Sequence, residues 1–286
     1  LKTVFLSEEE QPISIVKTDT CVMALGFFDG VHLGHRKVIQ TASEIAKTKG
    51  LTTAVMTFFP HPKEVISDGK MKVDYLTSLA QKEDILSRLG VDCLYVVAFN
   101  RRFAMLSPEQ FIERYVTKLG AKHVVAGFDF TYGYRGQGNM DRIAVDGKGA
   151  FSVTKVEKVA LNGEKISSTL IRSLILAGEV DKVLAYLGNE YQIAGSLQFN
   201  QYEITFINRD NNLLPKPGAY HVSVYDGKET HSAIAHRRNH HNNILLQFTN
   251  SIAPFPENAW LTITWHKQFV QDKQKFREHM DVQIHQ

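Results

Sequence analysis

The hydrophobic pattern of this 286-residue chain changes character about two thirds of the way along. In the first part, short continuous apolar runs alternate with stretches in which apolar residues recur every three or four positions. TCVMALGF at 20–27, LTTAVMTFF at 51–59, VDCLYVVAF at 91–99 and KHVVAGF at 122–128 predict buried strands. Between them, Val38, Ile39, Ala42, Ile45 and Ala46 predict a helix starting around Gly34. Leu79, Ile85, Leu86 and Leu89 predict another over 77–89, stopped by Gly90. A third opens at Pro108 with Ser107 as its cap and carries Phe111, Ile112, Tyr115, Val116 and Leu119. This alternation predicts an α/β domain whose mostly parallel sheet is covered by helices on both faces. Order alone leaves open a dinucleotide-binding sheet and a nucleotidylyltransferase sheet.

After about residue 189, β-prone runs at 191–197, 203–207, 219–225, 243–249 and 259–265 are separated by Asn, Gly and Pro. They predict a smaller, mainly antiparallel domain of barrel type. KPG at 216–218 reads as a turn, and Phe269, Phe276, Met280 and Ile284 as one face of a terminal helix packed across the small sheet. His236, Arg237, Arg238, Asn239, His240, His241, Asn242 and Asn243 read as a polar loop, because the histidines there supply no closed set of four metal ligands.

Composition narrows the function classes. Hydrophobic residues at 43% and aromatic residues at 10% exclude a mainly disordered or fibrous chain. With 33 Lys+Arg against 30 Asp+Glu the net charge is only +3, so no nucleic-acid partner is expected. No apolar run reaches the roughly 18 residues that cross a bilayer, and LKTVFLSEEEQP turns acidic too early for a secretory signal. A soluble cytoplasmic protein without membrane association is expected. Cys21 and Cys93 lie in the apolar runs CVMAL and CLYVV and read as buried free thiols.

Candidate chemistry concentrates in two segments. GFFDGVHLGHRK, from Gly26 to Lys37, leaves a strand and enters a helix. Its glycines permit tight turns, His32 and His35 are three positions apart, and the adjacent helix start offers unpaired N–H groups to a phosphate. The structural alternative is a plain turn that both histidines cap or solvate. GxGxxG and GxxxxGK[ST] are absent, which disfavours a Rossmann dehydrogenase or a P-loop enzyme. The second segment is KISSTLIR, from Lys165 to Arg172. Ser167, Ser168 and Thr169 offer donors ahead of a helix beginning near Leu170, and Arg172 offers a forked cation. A helix cap with a solvated arginine is the competing reading.

These segments resemble the prokaryotic bifunctional riboflavin kinase/FAD synthetase family. GFFDGVHLGHRK is similar to that family's GxFDGVHxGH motif. TFFPHPKEV at 57–65, AGFDFTYGYRGQG at 126–138 and ISSTLIRSLILAGEV at 166–180 follow in the family's order, and GNEYQIAG at 188–195 resembles its interdomain junction. The resemblance implies a Rossmann-like FMN adenylyltransferase domain over 1–187 and a riboflavin-kinase-like barrel with a terminal helix over 188–286. It implies that ATP and FMN are substrates, FAD is the product and magnesium shields the polyphosphate. His32, His35, Ser168 and Arg172 are the implied catalytic residues. Gly26, Phe27 and Asp29 would form the adenylyl loop, with Ser167 and Thr169 in the second nucleotide motif. Phe58, Pro60, His61 and Pro62 would lie near the reacting phosphates and flavin, and Phe128, Asp129, Phe130 and Arg135 near the substrate pocket. Tyr132 stands where many relatives have Phe.

The second domain departs from the family. LLPKPGAYHVSV at 213–224 resembles its LxPxxGVYxV segment, but between Gly195 and Leu214 the GRxxGFPTAN stretch is absent. In HNNILLQF, Asn242 stands at the apparent position of the kinase glutamate, and an amide is no general base at neutral pH. The expectation is a monofunctional FAD synthetase whose barrel braces the first domain, shapes the FMN site or mediates self-association. Retained kinase activity, another phosphorylated acceptor, and a non-enzymatic flavin- or nucleotide-binding protein are the alternatives.

Overall fold

The computed structural model describes residues 1–7, 19–199, 204–238, 243–249, 255–256 and 259–269. Of the expected terminal helix, Phe269 instead ends a strand, and its remaining residues, like Asn242, lie outside the described residues. The chain divides into two compact units, Leu1–Ser168 and Thr169–Gln286.

In chain order the first unit runs β1 (Lys2–Leu6), β2 (Cys21–Leu25), α1 (Leu33–Lys49), β3 (Thr52–Phe59), α2 (Pro62–Ile66), α3 (Leu79–Arg88), β4 (Cys93–Ala98), α4 (Arg101–Ala104) and α5 (Pro108–Phe111). A π-helical turn at Ile112–Thr117 prolongs α5, followed by β5 (Ala121–Gly127), β6 (Thr131–Tyr132), β7 (Gly138–Asn139) and α6 (Ile143–Asp146). Then come β8 (Ser152–Val156), β9 (Ala160–Leu161), β10 (Glu164–Lys165) and the start of α7 (Ser168–Ala177). The main sheet has the order β1-β4-β3-β2-β5-β8, and every pair in it is parallel.

Burial on both faces explains the unbroken apolar strands. Val22, Ala24, Val55, Leu94 and Val96 point to one side, against Val38, Ile39, Ala42 and Ala46 of α1 and Leu86 of α3. The alternate residues Met23, Leu25, Met56 and Tyr95 point to the other, where Phe103, Phe111 and Tyr115 cover them. The helices have the predicted punctuation. Gly50 closes α1 in the left-handed region at φ 63°, with Lys47 and Lys49 favourably placed in the last turn. Ser107 caps α5 reciprocally with Gln110.

The sheet is wider than the apolar runs indicate. β1 and β8 are its edges, and their half-polar sequences KTVFL and SVTKV reflect partial exposure. Cys21 is buried and Cys93 half-buried, both as free thiols. Burial pushes the Cys21 thiol up to about 12. The Tyr132 hydroxyl donates to Asp146, which Arg142 also holds, so the polar atom of this Tyr is satisfied inside the fold.

The second unit contains most of α7, α8 (Val180–Leu187) and a closed antiparallel barrel. Its strands are β11 (Tyr191–Phe199), β12 (Ile204–Ile207), β13 (Gly218–Tyr225), β14 (Thr230–Arg237), β15 (Asn243–Phe248) and β16 (Trp260–Phe269), ordered β11-β12-β15-β14-β13-β16. Closure leaves no strand edge open. His236 and Arg237, expected in a loop, extend β14 instead, because cross-strand pairing with Leu245 and Ile244 of β15 continues through them. Between β12 and β13 the chain forms a turn in which the Asn208 amide both donates to the Asn212 carbonyl at 2.7 Å and accepts from its N–H at 3.1 Å. Among the described residues, no helix is long and apolar enough to cross a membrane.

Gly195 sits where β11 meets β12 so closely that an added Cβ would lie 2.2 Å from the Ile207 carbonyl oxygen. Gly195→Ala is expected to cost about 1–3 kcal/mol through overpacking and to lower the barrel's melting temperature by several degrees. Calorimetry showing an unchanged transition would contradict this packing.

Candidate active site

Strand order reverses at β2, with β3 and β4 on one side and β5 on the other. The carboxyl ends of adjacent parallel strands diverge at such a point, opening a crevice where ligands of α/β sheets bind. The turn after β2 and the segment after β5 flank it.

The turn from Gly26 to His32 is strained and tightly held. Phe28 (φ 52°), Gly30 (φ 84°) and Val31 (φ 41°) all have positive φ. For Phe and for β-branched Val this costs on the order of 1–3 kcal/mol each, so the surroundings must impose it. Phe28 and Val31 are buried, and the Phe28 ring lies where a Cβ on Gly26 would be, 2.8 Å away. Asp29 is buried and its carboxylate accepts from the Leu76 N–H at 2.9 Å and the Thr77 N–H at 3.3 Å. Gly30 N–H donates to Thr77 Oγ1 at 3.1 Å, and Ser168 Oγ donates to the Asp29 carbonyl at 2.9 Å.

This turn delivers His32 as the cap of α1. His32 Nδ1 accepts the His35 N–H at 3.2 Å, which leaves the proton of a neutral imidazole on Nε2. The rings of His32 and His35 stack with centroids 3.6 Å apart and planes 16° from parallel. Gly34 permits this, since a Cβ there would lie 3.1 Å from the His32 ring. Burial pulls His32 down to about 4, and burial followed by repulsion from His32 and Lys82 holds His35 well below its ordinary value. Both are therefore neutral at pH 7, serving as hydrogen-bonding groups at a helix N-terminus rather than as a dication. Among the described residues, His35 Nδ1 is buried without a hydrogen-bond partner, a cost of about 1–3 kcal/mol that adds to the strain stored here.

TFFPHP ends β3 beside the turn. The Phe27 ring meets the His61 ring edge-on at 4.5 Å and stacks toward Tyr75 at 6.5 Å. His61 caps α2 through Nδ1, and Pro62 occupies the first helical position. The peptide between Phe59 and Pro60 is cis. Phe58 faces the core, against Phe103 at 5.6 Å and Phe111 at 6.4 Å. After β5, Phe128 and Asp129 are exposed, and Lys165 of β10 binds both, with Nζ 4.7 Å from the Phe128 ring and 2.6 Å from the Asp129 carboxylate. Phe130 packs on Tyr132 at 6.0 Å, and Arg135 lies over the Tyr134 ring at 5.1 Å. Ser167 immediately precedes α7, whereas Ser168 and Thr169 lie within its first turn rather than ahead of it. Thr169 and Arg172 belong to the second unit, on α7.

Several supporting residues are not among the candidates, Glu64 and Lys165 even though they lie inside the motif segments. Lys82 is buried and donates to the Phe27 carbonyl at 2.9 Å and to Thr57 Oγ1 at 3.0 Å. Its signal in the sequence is a charge within the apolar stripe Leu79–Lys82–Leu86 of α3. Glu64 accepts from the N–H groups of His61 and Val73 and from the Tyr75 hydroxyl. Burial opposes ionisation of Glu64, but those donors hold its carboxyl below the usual range. Thr77 and Lys165 are the other two.

Asp29 and Asp129 are already committed to protein donors, and among the described residues no three His, Cys, Asp or Glu side chains gather as metal ligands. The described side chains thus do not fit a protein-built metal cage.

Residues 14–170 match the model of the FAD synthetase family. The chain is 42% identical over 245 residues to the bifunctional riboflavin kinase/FMN adenylyltransferase of Listeria monocytogenes, covering 82% of this chain and 77% of that protein. It is 33% identical over 200 residues to the FAD synthetase of the same organism, covering 70% and 79% respectively. A crystal structure described as a macrolide-efflux protein from Streptococcus pneumoniae superposes with a TM-score of 0.83 at 24% identity, over 99% of this chain and 96% of that one. That likeness concerns the fold alone.

Because the folded-state value for His32 lies below that of an unfolded histidine, the unfolded chain binds more protons between about pH 6.5 and 4. Stability should therefore fall as pH is lowered through that window. His32→Asn, which keeps a capping acceptor, should flatten this dependence in urea titrations at pH 7.5, 6 and 5. An equally steep dependence in the variant would contradict a buried neutral His32.

Proposed function

The chain belongs to the FAD synthetase family, and on that footing we propose that it is an ATP:FMN adenylyltransferase, converting ATP and FMN to FAD and pyrophosphate. The observation that carries this reading is the strained turn from Gly26 to His32, which sets neutral imidazole donors and the N-terminus of α1 at the sheet's switch point.

In the proposed mechanism, the terminal phosphate of FMN attacks the α-phosphorus of ATP in line, and pyrophosphate leaves. A phosphate monoester is already largely dianionic near neutral pH, with a second pKa of about 6. No strong protein base is required. The protein's task is to hold two anions together and to stabilise charge on the phosphoryl oxygens. His32 Nε2–H and the first N–H groups of α1 receive the polyphosphate. Ser167, Ser168, Thr169 and Arg172 grip it from the second motif. Gly26, Phe27 and Asp29 shape the adenylyl loop, while Phe58, Pro60, His61, Pro62, Phe128, Asp129, Phe130 and Arg135 border the flavin. Magnesium enters with the nucleotide as part of the substrate, and no covalent enzyme intermediate forms. The functional division we assign runs 1–187 for the transferase and 188–286 for the barrel.

Riboflavin phosphorylation is proposed to be lost or very weak. The absent GRxxGFPTAN stretch and Asn242 support this. The amide of Asn208, in the segment where that stretch would fall, closes its own turn on Asn212. The barrel then serves a structural or self-association role, and the protein works in the cytoplasm.

Purified protein with ATP, magnesium and FMN should form FAD and pyrophosphate, and with riboflavin in place of FMN should form no FMN. FMN synthesis at a rate comparable with adenylylation would overturn the loss of kinase activity. No nucleotide-dependent product at all would favour a binding protein. His32→Ala and Arg172→Ala should each lower the turnover number about 10²–10³-fold, His32→Ala with a melting temperature lowered by a few degrees through loss of the α1 cap and Arg172→Ala with little change in it, and full activity in both would remove these residues from the site. Asn242→Glu alone should leave riboflavin unphosphorylated; robust FMN formation would show a surviving kinase site.

A further inference from the structure

Lys82 is the charged group of the first unit that packing alone does least to explain. It lies on the buried side of α3 between Leu79 and Leu86, a position that Leu or Met would fill without desolvating an ammonium. Its Nζ donates to the Phe27 carbonyl at 2.9 Å and to Thr57 Oγ1 at 3.0 Å, and the Thr57 hydroxyl donates to the same carbonyl at 2.7 Å. These three groups form a closed ring of hydrogen bonds joining α3, the end of β3 and the start of the strained turn. Nζ also lies 5.0 Å from the centre of the Phe27 ring, which in turn meets the His61 ring edge-on. The segment presented to the crevice is thus anchored at its origin, Phe27, by the Lys82 ammonium together with the Thr57 hydroxyl.

We infer that Lys82 is a positioning residue for adenylyl transfer, fixing the Phe27–His32 turn so that His32 and the start of α1 meet the polyphosphate in reactive register. The inference rests on the proposed adenylyltransferase activity and adds the residue that orients its anion site. Lys82 acts through Phe27 and Thr57 rather than by touching substrate. The charged and titratable groups facing it are Asp29 from the turn and His35 from α1. Burial brings Lys82 down to about 8, opposed by the attraction of Asp29. An arriving polyanion favours the ammonium form, so nucleotide binding at pH 8.5 should draw in protons. His35 stays neutral at that pH and does not contribute.

The test compares the full-length wild-type protein with Lys82→Met and Lys82→Ala. Lys82→Met should lower kcat for FAD formation about 10²-fold, the scale of a misplaced reacting group, with a smaller change in KM for ATP. Its melting temperature should be unchanged or higher, because Met suits the apolar stripe. Ethylammonium should restore part of the kcat of Lys82→Ala. Calorimetry of MgATP binding at pH 8.5, in buffers of different ionisation enthalpy, should show proton uptake by wild type and none by Lys82→Met. A Lys82→Met enzyme within twofold of wild-type kcat would overturn the inference. So would proton uptake that persists in that variant, or parallel loss of melting temperature and activity in both variants without ethylammonium rescue. If the wild type makes no FAD yet shows Lys82-dependent proton uptake with MgATP, the adenylyltransferase reading fails while the link from Lys82 to the polyphosphate site stands.

Discussion

Beneath the carboxyl end of β2, the structure gathers a buried ammonium, a buried carboxylate and two stacked imidazoles. Each would be more stable in water, and three of them are retained by specific partners: Lys82 by Phe27 and Thr57, Asp29 by the Leu76 and Thr77 amides, and His32 by the His35 N–H. Together they force the backbone of Phe28 and Val31 into conformations these residues rarely adopt. The strained turn, the orientation of His32 and the register of α1 all follow from that arrangement. The parallel sheet supplies a rigid base and the reversal of strand order supplies the space.

Neutral imidazoles suit this reading better than charged ones would. Two cations stacked at 3.6 Å would repel, and burial in any case disfavours the charged forms. A fixed Nε2–H at a helix N-terminus is instead a donor that needs no reorganisation when charge develops on a phosphoryl oxygen. The same logic explains why the site carries strain: the turn is already in its working shape before an anion arrives.

The architecture was legible where burial on both faces wrote continuous apolar runs, as in CVMAL, TTAVMTFF and CLYVVA. It was less legible at β1 and β8, whose edge positions leave half their residues polar, and at β14, where His236 and Arg237 carry a polar signal inside a regular strand. The candidate site divides in the same way. Glycines, prolines and histidines in GFFDGVHLGH and FFPHP mark turns by their own chemistry and stand out in one dimension. Lys82, Thr57, Thr77, Glu64 and Tyr75 are ordinary residues whose roles arise from contacts across 11 to 55 positions of sequence, and pattern alone does not bring them together. Lys82 left one trace, a charge inside an apolar helical stripe.

The proposed mechanism depends most on where the nucleotide's phosphates lie. A crystal structure of the full chain with FMN and the non-transferable analogue α,β-methylene-ATP reads this directly. The expected result places phosphate oxygens within hydrogen-bonding distance of His32 Nε2 and the first amides of α1, with the FMN phosphate opposite the leaving pyrophosphate group. Nucleotide bound within the barrel, with the Gly26–His35 segment free of phosphate, would contradict it.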